Sequence, residues 1–207
     1  MYMRPTSRML LKPLVGSALL ILVLLFSTTA HAASTWCNHV GRDGVYDFTY
    51  HSQFVNYIPA YAFMNCHTLH RMILPDAITS IQDGAYYNAT GLTRIDLPSP
   101  LLTIPQYTFM YSALNHVTLP DSITSISAYA FRNISALTSM HLPNRLLSIE
   151  QGAFFSTGLS YVYIPDSVTK IAELSFTDNL ALTSIGASES SALQSIGESA
   201  FHGCVSL

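Results

Sequence analysis

Apolar and polar positions repeat along most of this chain with a period of 22 or 23 residues. Prolines 75, 98, 120, 143 and 165 each follow Leu or Ile and stand 23, 22, 23 and 22 residues apart. Aligned on them, the units read L-x-x-h-x-h-P-x-x-h-x-x-I-x-x-x-[AST]-F, where h is apolar, as in Leu92 to Pro98 and Leu137 to Pro143. Six positions recur in the five full units between His70 and Leu182: three and one before the proline, three and six after it, the aromatic, and a closing leucine. All are apolar or aromatic, with Tyr86 in place of Phe. A partial unit through Val55, Ile58, Phe63 and Leu69 precedes them. A last one through Leu193, Ile196, Phe201 and Leu207 follows, with two extra residues between Ser188 and Leu193. Asp76, Asp121 and Asp166 mark the 23-residue units, and Leu-Leu at Leu101 and Leu146 marks the 22-residue ones, so a 45-residue pair has been duplicated.

The pattern predicts its own elements. Alternating apolar positions before each proline suit a short strand with one buried face, and proline ends it because it cannot donate to a ladder. Pro59 and Pro105 follow an Ile directly, where proline suits the first position of a helical turn, so Ala-Tyr-Ala-Phe is expected to form a short helical or 3₁₀ turn that drops its aromatic inward. One coil cannot bury its own apolar face, whereas stacked coils share a core. The prediction is a solenoid of parallel strands stepping about 4.8 Å per coil.

The N-terminal residues follow another logic. Arg4, Arg8 and Lys12 precede the uncharged apolar run Leu14 to Phe26, and Ala30-His31-Ala32 offers a small-x-small cleavage site. Residues 1–32 are therefore expected to be a signal peptide, with an uncleaved anchor as the alternative; either way the rest of the chain is exported. Residues 33–54, with Trp36, Cys37 and the strand-like Val45 to Tyr50, are expected to cap the solenoid, and residues 55–207 to form about seven repeats of 22–25 residues. A repeat that closes at Leu207 without a polar cap is expected to continue into a longer array, with self-association through the open end as the alternative.

Composition narrows the function. Only 10% of residues are charged, against about 25% in ordinary domains. Ser and Thr, 37 of the residues from Ala33 onward, supply the polar surface. Without residues 1–32, six basic residues face twelve acidic ones, so binding to nucleic acid or an anionic membrane is not expected. The membrane is met only through the N-terminal segment if that segment stays uncleaved.

Segments such as Leu119-Pro120-Asp121-Ser122-Ile123-Thr124-Ser125-Ile126 followed by Ala130-Phe131, and Ser195-Ile196-Gly197, Ala200-Phe201 and Cys204-Val205-Ser206-Leu207, resemble BspA-like leucine-rich repeats. The resemblance covers residues 52–207. It implies a leucine-rich-repeat solenoid, a right-handed coil of short parallel strands and turns, on the surface of a microbe or protist. It also implies adhesion to host matrix proteins, host cells or other microbes. The chain departs from the family pattern in keeping the glycine after Ile only at Gly186 and Gly197 and the cysteine only at Cys66 and Cys204.

No constellation for chemistry stands out. G-x-S-x-G, H-E-x-x-H and phosphate-cradling glycine loops are absent. The histidines fall at unrelated repeat phases, without the nucleophile and oriented base that a triad needs. An enzyme, a cofactor and a metal site are not expected. Cys66-His67-Thr68-Leu69-His70 looks metal-like, yet Leu69 is a core position and Cys66 points inward, so zinc donors would diverge. Cys66 and Cys204 lie six coils, about 30 Å, apart and cannot pair. Cys37 with Cys66 is open as a disulfide stapling the cap, the alternative being buried thiols. Asn88 and Asn133 head N-glycosylation sequons at one phase of the double repeat, which duplication of a turn asparagine would also explain. Thr79, Thr124 and Thr169 align, but Leu102 and Leu147 interrupt them, which argues against an ice-binding threonine array.

The remaining candidate is the exposed half of each strand, four and two residues before the proline: Arg71 and Ile73, Arg94 and Asp96, His116 and Thr118, Ser139 and His141, Tyr161 and Tyr163. Solenoids present such ladders as extended binding surfaces, and Tyr and Arg are favoured at hot spots. The expectation is a secreted or cell-surface repeat protein that binds extracellular proteins or glycans, including host matrix proteins, through this face. The rival is a structural surface component that self-associates.

Overall fold

The computed structural model describes residues 36–48 and 56–207; the signal peptide expected in residues 1–32, Val55 and part of the expected cap lie outside the described residues. Within the described residues the strands, in chain order, are β1 (Val45–Asp47), β2 (Tyr57–Ile58), β3 (Arg71–Ile73), β4 (Ser80–Ile81), β5 (Arg94–Asp96) and β6 (Thr103–Ile104). They continue with β7 (His116–Thr118), β8 (Ser125–Ile126), β9 (Ser148–Ile149), β10 (Tyr161–Ile164), β11 (Lys170–Ile171), β12 (Ser184–Ala187) and β13 (Ser195–Ile196). Every pairing is parallel and joins neighbouring coils. The segments before the prolines, with β1 and β12 at the ends, build one ladder, as sheets β1-β3-β5-β7 and β10-β12. The two-residue strands that end in Ile, such as Ser80-Ile81 and Thr103-Ile104, build a second, as sheets β2-β4 and β6-β8-β9-β11-β13.

The core is the repeat pattern turned inward. In the five full units all of the recurrent apolar positions but Leu74 and Met140 are buried, whereas in the last unit Leu193 and Phe201 are half-buried and Ile196 and Leu207 exposed. Along the middle runs a column of rings, Phe63, Tyr86, Phe109, Phe131, Phe154, Phe176 and Phe201, each stacked on the next with centroids 5.2–5.4 Å apart. At the N-terminal end Trp36 stacks on Phe48 at 5.5 Å and meets Phe63 edge-on, covering the first coil. Beside these rings Cys37 and Cys66 are joined as a disulfide with Cα atoms 5.5 Å apart. The column has one polar exception. The Tyr86 hydroxyl is buried and has no hydrogen-bond partner, and desolvation, reinforced by Tyr46, pushes its pKa far up.

The turn that carries each ring is not the helical turn expected from the sequence. In the first coil Ala62, Met64 and Cys66 donate locally to the carbonyls of Pro59, Tyr61 and Phe63. The intervening N–H groups of Tyr61, Phe63 and Asn65 leave the coil and donate to Asp83, Ala85 and Tyr87 of the next one, at 3.1, 2.7 and 2.9 Å. A helix would direct every N–H within its own segment; here alternate donors are turned outward to tie the coils together. The backbone achieves this with left-handed residues two before and two after each aromatic, as at Tyr61 and Asn65, Gly84 and Asn88, or Gly152 and Ser156. Gly and Asn suit those positions.

Two breaks interrupt the ladders. After β8, β9, β11 and β13 the next residue donates to the preceding coil's Ile, as Ser127 does to Ile104 and Glu150 to Ile126. After β6 that residue is Pro105, which has no N–H, and β4 and β6 are unpaired. In the other ladder, residues 138–142 form no strand. Ser139-Met140-His141 has no Val, Ile, Thr, Phe, Tyr or Trp, whereas β3, β5, β7, β10 and β12 each contain at least one of them.

Candidate interaction face

The side chains expected to form a binding ladder fall into two groups of different chemistry. Arg71, Arg94 and His116 lie side by side on β3, β5 and β7, as do Ile73, Asp96 and Thr118. All are exposed except Ile73 and Asp96, which are half-buried. This half is cross-linked by polar contacts. Arg94 Nε and Nη2 donate to Asp96 Oδ2 and Oδ1 at 3.3 and 3.4 Å, and Thr118 Oγ1 donates to Asp96 Oδ1 at 3.1 Å. His116 Nε2 lies 3.4 Å from Thr118 Oγ1. Desolvation pushes the Asp96 carboxyl up, but hydrogen bonds from Arg94 and Thr118, with the charges of Arg94 and His116, outweigh it and hold the pKa below its ordinary value. Arg71 has no carboxylate partner among the described residues.

Tyr161 and Tyr163 sit in the other half, on β10, 48% and 40% exposed. They lie across the backbone of Gly186 on β12: a Cβ there would come within 2.2 Å of Tyr161 Oη and 2.9 Å of Tyr163 Cδ2. In the sequence Gly186 and Gly197 both follow an Ile. The structure separates them, since Gly186 faces tyrosines on the first ladder while Gly197 follows Ile196 on the second and crowds the backbone of Ala172 and Glu173. Ser139 and His141 are exposed but do not join the ladder. They fall in the strandless segment 138–142 between the two groups, so the continuous array expected from the sequence is divided there.

Other candidate residues find structural explanations. Asn88 and Asn133, the sequon asparagines, have φ of 53° and 58°, a conformation that asparagine tolerates better than most residues; Asn88 Nδ2 donates to Asn65 Oδ1 at 2.7 Å. His67 Nδ1 meets Thr90 Oγ1 at 2.6 Å and His70 Nδ1 meets the Gly91 carbonyl at 3.1 Å, so neither turns toward Cys66. Cys204 is a free thiol whose Sγ donates to the Phe176 carbonyl at 3.1 Å. Desolvation raises its pKa, and the charge of Asp178 adds to this against a backbone hydrogen bond from Asn179. At the equivalent position one coil earlier, Asn179 is buried, with Nδ2 donating to Phe154 and Phe176 and Oδ1 accepting from the backbone N–H and hydroxyl of Thr157. Leu102 and Leu147 are 59% and 52% exposed, interrupting the threonine row of the second ladder.

The turn face carries an aromatic cluster that the repeat pattern alone does not single out. Tyr107 stacks on Tyr129 with centroids 5.6 Å apart, and the Arg132 guanidinium lies 5.4 Å from the Tyr129 ring and 4.4 Å from that of Phe155. The signal was present as Tyr two residues before the core aromatic in three coils, at Tyr61, Tyr107 and Tyr129.

Comparison with known proteins agrees with this architecture. The model of the BspA type leucine-rich-repeat region matches residues 56–183 in six copies. A leucine-rich-repeat protein from T. pallidum is similar in structure, with a TM-score of 0.55 and 24% identity over 67% of this chain and 78% of that one. Another from Eubacterium ventriosum gives a TM-score of 0.61 and 18% identity over 73% of this chain and 41% of that one. No curated protein matches at the sequence level. With parallel coils, a buried ring column and a family match over most of its repeats, the chain belongs to the BspA-type leucine-rich-repeat family.

Proposed function

We propose that this chain is a secreted or cell-surface adhesion module that binds other macromolecules through the strand face of its first ladder and performs no chemistry of its own. The observation that carries this reading is the register of β3, β5 and β7. It sets Arg71, Arg94 and His116 in one exposed row, with Asp96 and Thr118 fixing Arg94 and His116 from the side. Side chains already held in place lose little freedom on binding, and Arg is enriched among residues that dominate interfaces.

The test is to immobilise the chain and measure binding to a panel of extracellular-matrix proteins, then repeat each hit with Arg94→Ala. Saturable binding weakened about tenfold or more by that change is expected. A folded chain that binds no protein, or binding indifferent to Arg94, overturns the reading. Concentration-dependent oligomerisation without any foreign ligand would favour the rival role of a self-associating structural component.

A further inference from the structure

We infer that the second half of the strand face, the shelf formed by Tyr161 and Tyr163 over Gly186, is a subsite for a neutral carbohydrate chain. The inference rests on the proposed role of the strand face in binding and assigns a ligand class to one part of it.

Three observations point the same way. The first is the pair of rings. Tyr161 and Tyr163 are i and i+2 on β10, so they project from the same side of the ladder, and each keeps 40% or more of its surface exposed. A solenoid face needs no tyrosine for stability there, since Arg94 and Asp96 occupy the corresponding positions of another coil.

The second is Gly186. It is a strand residue, and glycine in a strand weakens it unless something must approach closely. What approaches is the tyrosine pair: a Cβ at 186 would lie 2.2 Å from Tyr161 Oη and 2.9 Å from Tyr163 Cδ2, so both rings would have to shift away. The glycine lets both rings lie down over the neighbouring strand instead of standing away from it. Such rings offer a broad π face, the surface on which the C–H face of a sugar ring stacks.

The third is the surroundings. Tyr161 faces Ser184 across the ladder, and Ser160 and Thr183 lie one residue before the two strands. Their hydroxyls donate to the carbonyls of Thr138 and Ser160 in the preceding coils, at 3.4 and 3.0 Å. With donors so committed, their oxygens still have lone pairs free to accept from sugar hydroxyls. On β10 and β12 and the residue before each there is no Asp, Glu, Lys or Arg, whereas the first half carries Arg71, Arg94 and Asp96. A shelf without ionic groups does not select an acidic peptide or a sulfated chain. Aromatic faces rimmed by hydroxyls complement an uncharged, hydroxyl-rich polymer.

The experiment titrates the full chain with cellohexaose, laminarihexaose and maltohexaose, and in parallel with a decaproline peptide, by isothermal calorimetry at 50 and 500 mM NaCl. At least one hexasaccharide is expected to bind with an affinity unchanged between the two salt concentrations, because no ion pair contributes. Tyr161→Ala with Tyr163→Ala is expected to weaken it about tenfold or more, and Gly186→Val to weaken it similarly by displacing the two rings, although both tyrosines stay in the sequence. Tyr161→Phe with Tyr163→Phe keeps the stacking faces and is expected to retain most of the binding. Thermal melts of each variant check folding; should Gly186→Val fail to fold, the tyrosine variants decide alone. No binding by any hexasaccharide, binding unaffected by the alanine pair, or preference for decaproline would overturn the inference. Arg94-dependent binding to matrix proteins in the same preparation would leave the proposed function standing while this subsite falls. Loss of both would remove both.

Discussion

At the scale of single residues, the column of rings and the polar contacts around Asp96 give the sharpest expectations. Tyr86 stands where the neighbouring coils have Phe63 and Phe109, and its buried hydroxyl has no partner. An unsatisfied buried hydroxyl costs about 1–3 kcal/mol, so Tyr86→Phe should raise unfolding stability by about 1 kcal/mol or more, read as a higher urea midpoint at constant slope. Asp96 behaves in the opposite sense to a buried group. Its folded-state pKa lies below the ordinary carboxylate value, so its contribution is fully present above about pH 4. That contribution is lost as pH falls through the folded-state pKa. The stability difference between the wild type and Asp96→Asn should therefore be constant near neutrality and shrink in acid. Because Arg94 and Asp96 are both substantially exposed, added salt should reduce it as well. A difference that persists unchanged at pH 2 would refute the assignment.

At the scale of the elements, the two ladder breaks are the informative places. Segment 138–142 has lost its strand, so the amides of Ser139, Met140 and His141 should exchange with solvent faster than those of Ile95, Val117 and Val162, measurable by hydrogen–deuterium exchange. Pro105 removes one donor from the second ladder. In Pro105→Ala the new amide faces the Ile81 carbonyl by analogy with Ser127 and Ile104, and protection of that amide would show the ladder closing. The segment that carries Trp36 is held to the first coil by a cross-link. Cys37 and Cys66 enclose a loop of separation 29, and removing such a link costs about 3–4 kcal/mol on the chain-entropy model. Cys37→Ser with Cys66→Ser should accordingly destabilise the N-terminal end, with Trp36 fluorescence as its local reporter. Without reductant the unfolded wild type should show a single titratable thiol, Cys204.

At the scale of the whole repeat array, each coil touches only its neighbours, so stability is a sum of coil and interface terms. Phe131 is fully buried between Phe109 and Phe154, near the middle of the ring column. Truncating such a ring costs about 3–5 kcal/mol. In a linear array that loss should also uncouple the two flanks. Phe131→Ala is expected to unfold with Trp36 fluorescence and far-ultraviolet circular dichroism no longer coincident. Coincident transitions would mean that cooperativity runs through the break.

Much of this molecule is set by burial, and burial is legible in sequence. The period, the strands closed by proline, the inward aromatics and the family all follow from which positions are apolar or aromatic, because a side chain that enters the core gives up water whatever its neighbours are. The tertiary structure decided what depends on pairs. Whether Tyr61, Phe63 and Asn65 donate within their own coil or to the next is a choice between two partners that the sequence of one coil cannot distinguish. It replaced the expected helical turn with a ladder of turns. The partner of Cys37 and the tyrosine shelf over Gly186 likewise depend on what the adjacent coil presents at 4.8 Å or so, and that proximity exists only once the coils are stacked.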